Sequence, residues 1–210
     1  MPSDPERPLR ADAARNAERL TRTARAAFAD LGPEAPLEEI ARRAGVRVRT
    51  LYNHFPTKED LVRAALSQTV TEDLTPAIEQ ALADDDPLRG LLTLIEAAMG
   101  LASRELNTLA AARGASDQTA EFYPPFRDAM TLLTRRAQDA GRLRADLVPE
   151  DLLRIMAMLT STLWTMDPGS DGWCRYLAIL FQGLAPAGAE PLTAPVALTI
   201  RPSTGAWTFQ

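Results

Sequence analysis

Two stretches decide how this chain folds: Leu37-Glu-Glu-Ile-Ala-Arg-Arg-Ala-Gly-Val46 and, three residues later, Thr50-Leu-Tyr-Asn-His-Phe-Pro-Thr-Lys-Glu-Asp-Leu61. In the first, Leu37, Ile40, Ala41 and Ala44 share one helical face, which predicts a short helix from 37 to 44. Gly45 follows where a tight turn needs a left-handed backbone. A second short helix is predicted from about Arg47 to Phe55, with Val48, Leu51, Tyr52 and Phe55 at helical spacing. Pro56 stops it. Thr57, with Asp60 three residues on, has the pattern of a capping box. It opens a further helix that carries Leu61, Ala65, Leu66, Val70, Leu74 and Ile78.

Two short helices joined by a glycine turn, the second of them basic, are the layout of a helix-turn-helix. Such a unit anchors one face of its second helix to a core and offers hydrogen-bonding side chains from the other to the DNA major groove. Val48, Leu51 and Phe55 supply the anchor. Arg47, Arg49, Thr50, Tyr52, Asn53 and His54 are left for the outside. Arginine pairs with guanine edges and asparagine with adenine, each through two hydrogen bonds. The hydroxyls of Thr50 and Tyr52 suit phosphates. Lys58, at the start of the next helix, adds a cation beside free backbone N–H groups. From Arg42 to Lys58 the cations are Arg42, Arg43, Arg47, Arg49 and Lys58, with no acid among them. A solvated helical face explains the charge alone; charge combined with the glycine turn and the apolar anchors points to DNA. Arg42 and Arg43 either complement the dipole of the helix they end or meet the DNA backbone.

Over residues of about 10 to 66, these stretches closely resemble the DNA-binding domain of TetR-family regulators. The resemblance implies an all-α fold. An N-terminal three-helix helix-turn-helix domain (1–66) would be followed by a helical ligand-binding and dimerisation domain (67–185). The later helices match the family in number, length and order. In that family two chains pair through their last two helices, the middle helices enclose a ligand cavity, and ligand binding spreads the recognition helices and releases DNA. The resemblance therefore implies a cytoplasmic homodimer bound to a double-stranded operator, most simply a repressor released by a small-molecule effector. Three positions depart from the family pattern: Arg47, Pro36 with Leu37, and Val148 all stand where a small polar cap is common.

Composition narrows the alternatives. The net charge is −5, but residues 1–70 carry 12 Lys and Arg against 10 Asp and Glu, while 71–210 carry 11 against 18. The basic footprint is thus local to an otherwise acidic protein. His54 is the only histidine and Cys174 the only cysteine. An internal disulfide is therefore impossible, and most metal sites and histidine-based catalysis lose their ligands. An enzyme built on a helical bundle is remote on these grounds, and no cofactor is expected. A ligand- or partner-binding module with a silent DNA domain is the remaining rival. There is no apolar run long enough to cross a membrane, and the first ten residues lack the layout of a secretory signal.

The rest of the chain reads as helices with clear punctuation. The first helix spans roughly Asp12 to Leu31 on a stripe of Ala13, Ala17, Leu20, Ala24, Ala27, Phe28 and Leu31, ended by Gly32-Pro33. Pro87 opens a helix to about Ser103, followed by a looser stretch from Glu105 to Tyr123. Further helices open at Pro124 and at Pro149, the latter running to about Met166, and the final one carries Trp173, Leu177, Leu180 and Phe181. Met99, Phe122, Phe126, Met130 and Trp164 are candidates to line an effector cavity, with Arg104, Asn107 and Thr160 as polar groups to orient a ligand. Ile155-Met-Ala-Met-Leu159 and Leu163-Trp164 make their helix apolar on nearly all sides, which requires burial on more than one face. Met156, Leu159, Leu163, Trp173, Leu177 and Phe181 are accordingly expected at a four-helix dimer interface. Residues 186–210 are rich in Pro, Ala, Gly and Thr and read as a mostly unstructured tail, with a possible short strand from Val196 to Ile200.

Overall fold

The computed structural model describes residues 6–112, 124–167 and 170–184, with side chains from residue 14 onward. Among the described residues every regular element is a helix. They fall into two units: one holds residues up to Thr69 together with 107–112, the other holds 70–106 and the residues from 124 on. The division thus lies near the expected boundary at 66, but the first unit also takes in a segment some forty residues further along the chain.

The first unit contains α1 (Glu6–Leu31), α2 (Leu37–Arg43), α3 (Val48–His54), α4 (Lys58–Thr69) and most of α7 (Leu106–Ala112). Helix α1 starts before Asp12, because Pro8 falls within its first four residues, where the missing N–H would have no intrahelical partner anyway. Its core stripe is Leu20, Ala24, Ala27 and Phe28, all fully buried against Ile40, Leu51, Leu61 and Val62. It ends at Gly32, whose φ of 82° lets its N–H reach the Phe28 carbonyl at 2.9 Å. The turn between α2 and α3 is a Schellman motif: Val46 N–H donates to the Ala41 carbonyl at 3.0 Å and Gly45 N–H to that of Arg42 at 3.1 Å. Gly45 has a φ of 66° with nothing near its absent Cβ, so backbone conformation alone requires glycine there. At the start of α4 the capping box is complete. Asp60 N–H donates to Thr57 Oγ1 at 3.1 Å, and Thr57 N–H returns to Asp60 Oδ2 at 3.2 Å. The Thr21 hydroxyl donates to Gln68 Oε1, tying α1 to α4.

Two readings of this region need correcting. The helix expected to run unbroken from Thr57 through Ile78 is three segments: α4, a π-helical turn at Val70–Leu74, and α5 (Thr75–Leu82). Pro76 is the cause. It has no N–H to give the Glu72 carbonyl, and its ring crowds that carbonyl, so the backbone widens there. The stretch from Glu105, expected to be loose, contains α7. Its sequence Leu-Asn-Thr-Leu-Ala-Ala-Ala is rich in helix formers, and Ala112 is buried in the core of the first unit.

The second unit is built around α6 (Pro87–Arg104), which packs against α5, α8 (Pro124–Asp139) and α9 (Pro149–Thr162). Asp86 caps α6 by accepting from Leu88 and Arg89 N–H at 3.0 and 3.2 Å. Gly90 lets α6 approach α5: a Cβ there would stand 2.5 Å from the Ala81 carbonyl oxygen. Helix α8 ends in a second Schellman motif at Gly141, φ 64°. Val148 offers no side-chain cap to α9, but the Asp151 carboxylate accepts from its N–H at 3.1 Å, which is half of a capping box. Helix α9 stops at Thr162, short of the expected Met166, and Leu163–Thr165 tighten into a 3₁₀ turn. Helix α10 (Trp173–Gln182) packs against α9. Phe122, the tail from 186 and the candidate strand within it lie outside the described residues.

Candidate nucleic-acid interface

Helix α3 is short, and its orientation is set by what it buries. Leu51 is fully buried and Phe55 nearly so, with Val48 packed against the same core. Those three positions turn the opposite side outward. Arg47, Arg49, Tyr52 and Asn53 are exposed, and Thr50, His54 and Lys58 are half-buried. Tyr52 is 43% exposed, so its ring and hydroxyl are available on that side. The His54 ring stands 6.3 Å from that of Phe55, so it sits at the edge of the anchor rather than at its outermost face.

Charge is distributed unequally among the cations of the segment. Arg42 donates to both oxygens of Glu39 at 2.7 and 2.6 Å. Arg43 donates to Glu39 at 2.8 Å and to Asp30 of α1 at 2.7 Å. These hydrogen bonds from Arg42 and Arg43 lower the Glu39 carboxyl to a pKa of about 2. Two of the five cations are thereby engaged by carboxylates, Arg42 within α2 and Arg43 also across to α1. Lys58 is partly committed: its Nζ lies 3.5 Å from Glu34 and 5.8 Å from the centroid of the Phe28 ring. Glu34 is almost fully exposed, so that pair is weak. Arg47 and Arg49 differ from the rest. Among the described residues neither guanidinium has a hydrogen-bond or ion-pair partner, and both stand on the outward side of α3. Arg47 occupies the N-cap position, with φ −71° and ψ 145°, yet makes no side-chain cap. Arg19, by contrast, is bonded to Asn16 on its own helix.

In the second unit the candidate residues separate. Met99, Phe126 and Met130 all belong to its buried core, whereas Trp164, on the 3₁₀ turn, is 40% exposed and does not join them. Asn107 belongs to the first unit, where its side-chain amide donates to the Ala29 carbonyl at 3.4 Å, so it is removed from the ligand-orienting set. The expected interface residues lie largely inward in the single chain. Met156, Leu159, Leu163, Trp173 and Leu177 are buried in the core of their own unit and Phe181 packs against it. In the single chain the first five are thus buried, and Phe181 is half-buried. The exposed apolar residues on the same helices are Met158 at 57%, Ile179 at 54%, Tyr176 and Trp164. Met158 and Ile179 were obscured in the sequence because both faces of α9 and α10 are apolar, so periodicity cannot say which one turns outward.

A basic recognition helix anchored by a glycine-turned partner, joined to a helical second unit, defines a helix-turn-helix transcription regulator. Residues 20–65 match the family model of the bacterial regulatory proteins of the tetR family. Residues 46–186 match that of the SbtR-like transcriptional regulator C-terminal domain. The chain belongs to the TetR family of bacterial transcription regulators. Among solved structures it is similar to a TetR transcription regulatory protein from Mycobacterium vanbaalenii, with 30% identity, a TM-score of 0.58, and coverage of 84% of this chain and 99% of that one. It is also similar to the TetR regulator SCO0520 from Streptomyces coelicolor, with 27% identity, a TM-score of 0.60, and coverage of 82% and 99%. NalD of Pseudomonas aeruginosa shares the fold at 24% identity and a TM-score of 0.57, over 85% and 100%. No curated protein matches the sequence significantly. Members of this family regulate transcription and are not enzymes. Among the described residues no helix is long and apolar enough to cross a membrane.

Proposed function

We propose that this regulator is a homodimeric, cytoplasmic repressor that reads a palindromic operator through α3 and leaves it on binding a small molecule, with no metal or cofactor required. The observation that carries the DNA-reading part is the pair of unpartnered arginines, Arg47 and Arg49, on the exposed side of an anchored α3. Guanidinium groups left without protein acceptors are available to guanine edges and phosphates. Asn53 and Tyr52 flank them, Thr50 and His54 stand at the edges of the same side, and Lys58 needs only to leave an exposed glutamate to reach a phosphate. Arg42 and Arg43 hold α2 and are assigned no DNA contact. The apolar outward sides of α9 and α10 support dimerisation, since surface apolar residues of this size on two packed helices mark an interaction face. NalD, which has the same fold, is described as the secondary repressor of a multidrug efflux pump, consistent with repression as the mode of action. An effector acts by its differential affinity for the two spacings of the paired recognition helices.

Fluorescence anisotropy tests this with DNA from immediately upstream of the gene, across a salt series and against scrambled competitor. Binding that survives competitor and falls steeply with salt is expected for a sequence-specific reader. Arg49→Ala should weaken it by about 1–3 kcal/mol and relax preference at one base, without lowering the melting temperature. Absence of binding to any DNA at low salt would leave the ligand-binding module as the better reading.

A further inference from the structure

Trp173, the first residue of α10, is only 4% exposed. Its indole Nε1 is buried and, among the described residues, has no hydrogen-bond partner. An N–H removed from water without an acceptor is destabilising, and interior tryptophans ordinarily find one. The surroundings show where an acceptor would have to come from. A methyl group built on Gly100 of α6 would stand 3.9 Å from Trp173 Cζ2 and 3.4 Å from Arg104 Nη1. Cζ2 is two bonds from Nε1, so the indole ring and a guanidinium lie beside one point on α6 that carries no side chain. Arg104 is held loosely. Its Nη2 lies 3.3 Å from Asp73 Oδ2, in a pair open to solvent, and Asp73 sits in the π-helical turn, a kind of segment common at functional sites. Neighbouring Met99 is buried and apolar. The Thr160 hydroxyl, 3.8 Å from Met99 Sδ, also bonds the Met156 carbonyl at 2.8 Å. The corner therefore offers two donors, one of them cationic, against an apolar floor.

We infer that Trp173 and Arg104 hold the carboxylate of a small amphiphilic effector, one oxygen on the indole N–H and the other on the guanidinium, with the apolar remainder against Met99. A carboxylate matches the pair because a guanidinium prefers a charged, two-oxygen partner and an indole can only donate. This rests on the proposal above that the second unit takes a small-molecule effector.

The test uses the full-length chain labelled with ¹⁵N, decanoate as the probe and decanol as its uncharged counterpart. Three indole N–H signals are expected, from Trp164, Trp173 and Trp207, and Trp173→Phe identifies its own by loss. Saturating decanoate should move the Trp173 indole proton downfield. By calorimetry, decanol should bind at least about tenfold more weakly than decanoate, and Trp173→Phe and Arg104→Gln should each weaken decanoate about tenfold. Arg104 is exposed, so its variant keeps the fold if the tryptophan variant does not. No decanoate binding, an unmoved Trp173 signal, equal affinity for decanoate and decanol, or parent-like affinity in Arg104→Gln would each overturn the site. Specific DNA binding alongside any of those results retains the regulator and loses only this site. Decanoate bound as expected without any change in DNA affinity retains the site and removes its part in operator release.

Discussion

Arg47→Ser separates stability from function at one residue. Arg47 is the N-cap of α3 and already has the extended backbone that a capping serine adopts, so the substitution needs no rearrangement. Its own side chain is exposed and, among the described residues, unpartnered, so truncation removes no protein contact. The gain is a serine hydroxyl that accepts from an N–H in the first turn of α3, worth about 1 kcal/mol. The melting temperature should therefore rise by roughly 2–4 °C if the chain melts as one unit, or 4–8 °C if the first unit melts alone. Operator binding should move the other way. Losing a guanidinium at the DNA face costs about 1–3 kcal/mol if it meets a base, and lowers the salt dependence if it meets a phosphate. Differential scanning calorimetry and anisotropy on the same preparation read both signs. A fall in melting temperature would show that α3 does not begin where its backbone places it. Unchanged operator affinity with higher stability would remove Arg47 from the DNA face and leave Arg49 to carry it.

Gly90→Ala should destabilise the second unit by about 1–3 kcal/mol in urea unfolding, because the new methyl meets the Ala81 carbonyl oxygen at 2.5 Å. Helix propensity alone predicts stabilisation of about 1 kcal/mol, so the sign decides whether the close approach is real. The Glu39 carboxyl has a folded pKa of about 2 against an ordinary 4.5. Its contribution is fully present above pH 4.5 and is lost as the pH falls through about 2. Glu39→Gln should thus lower the melting temperature at neutral pH and flatten its decline between pH 4.5 and 2, and parallel profiles would refute the Arg42–Arg43 assignment. Ile179→Asp should convert a dimer to monomer in analytical ultracentrifugation with helical content intact. Leu159→Ala, inside the core of its own unit, should instead cost about 2–5 kcal/mol of folding stability, and an Ile179→Asp protein that remains dimeric would move the interface elsewhere.

What the sequence alone determined about this protein is the part governed by short-range signals. Gly45 demands a left-handed turn, Thr57 and Asp60 close a capping box, and Pro56 ends a helix, each through interactions within a few residues. They place α2, α3 and the start of α4 to within a residue or two, and the burial of Leu51 with Phe55 then settles which side of α3 faces out. The pairing of Glu39 with Arg42 and Arg43 lies at spacings of three and four and is local in the same sense, whereas the Asp30 partner of Arg43 is thirteen residues away. Tertiary structure decided the rest. Helices α9 and α10 are apolar on both sides, so only packing shows that Met156, Leu159 and Leu177 turn inward while Met158 and Ile179 turn out. It also assigns α7 to the first unit, because Ala112 is buried there and Asn107 bonds Ala29, contacts more than seventy residues apart in sequence. The indole of Trp173, unpartnered among the described residues, belongs to the same class. Its ring lies beside Gly100 of α6, and nothing local to Trp173 encodes that approach.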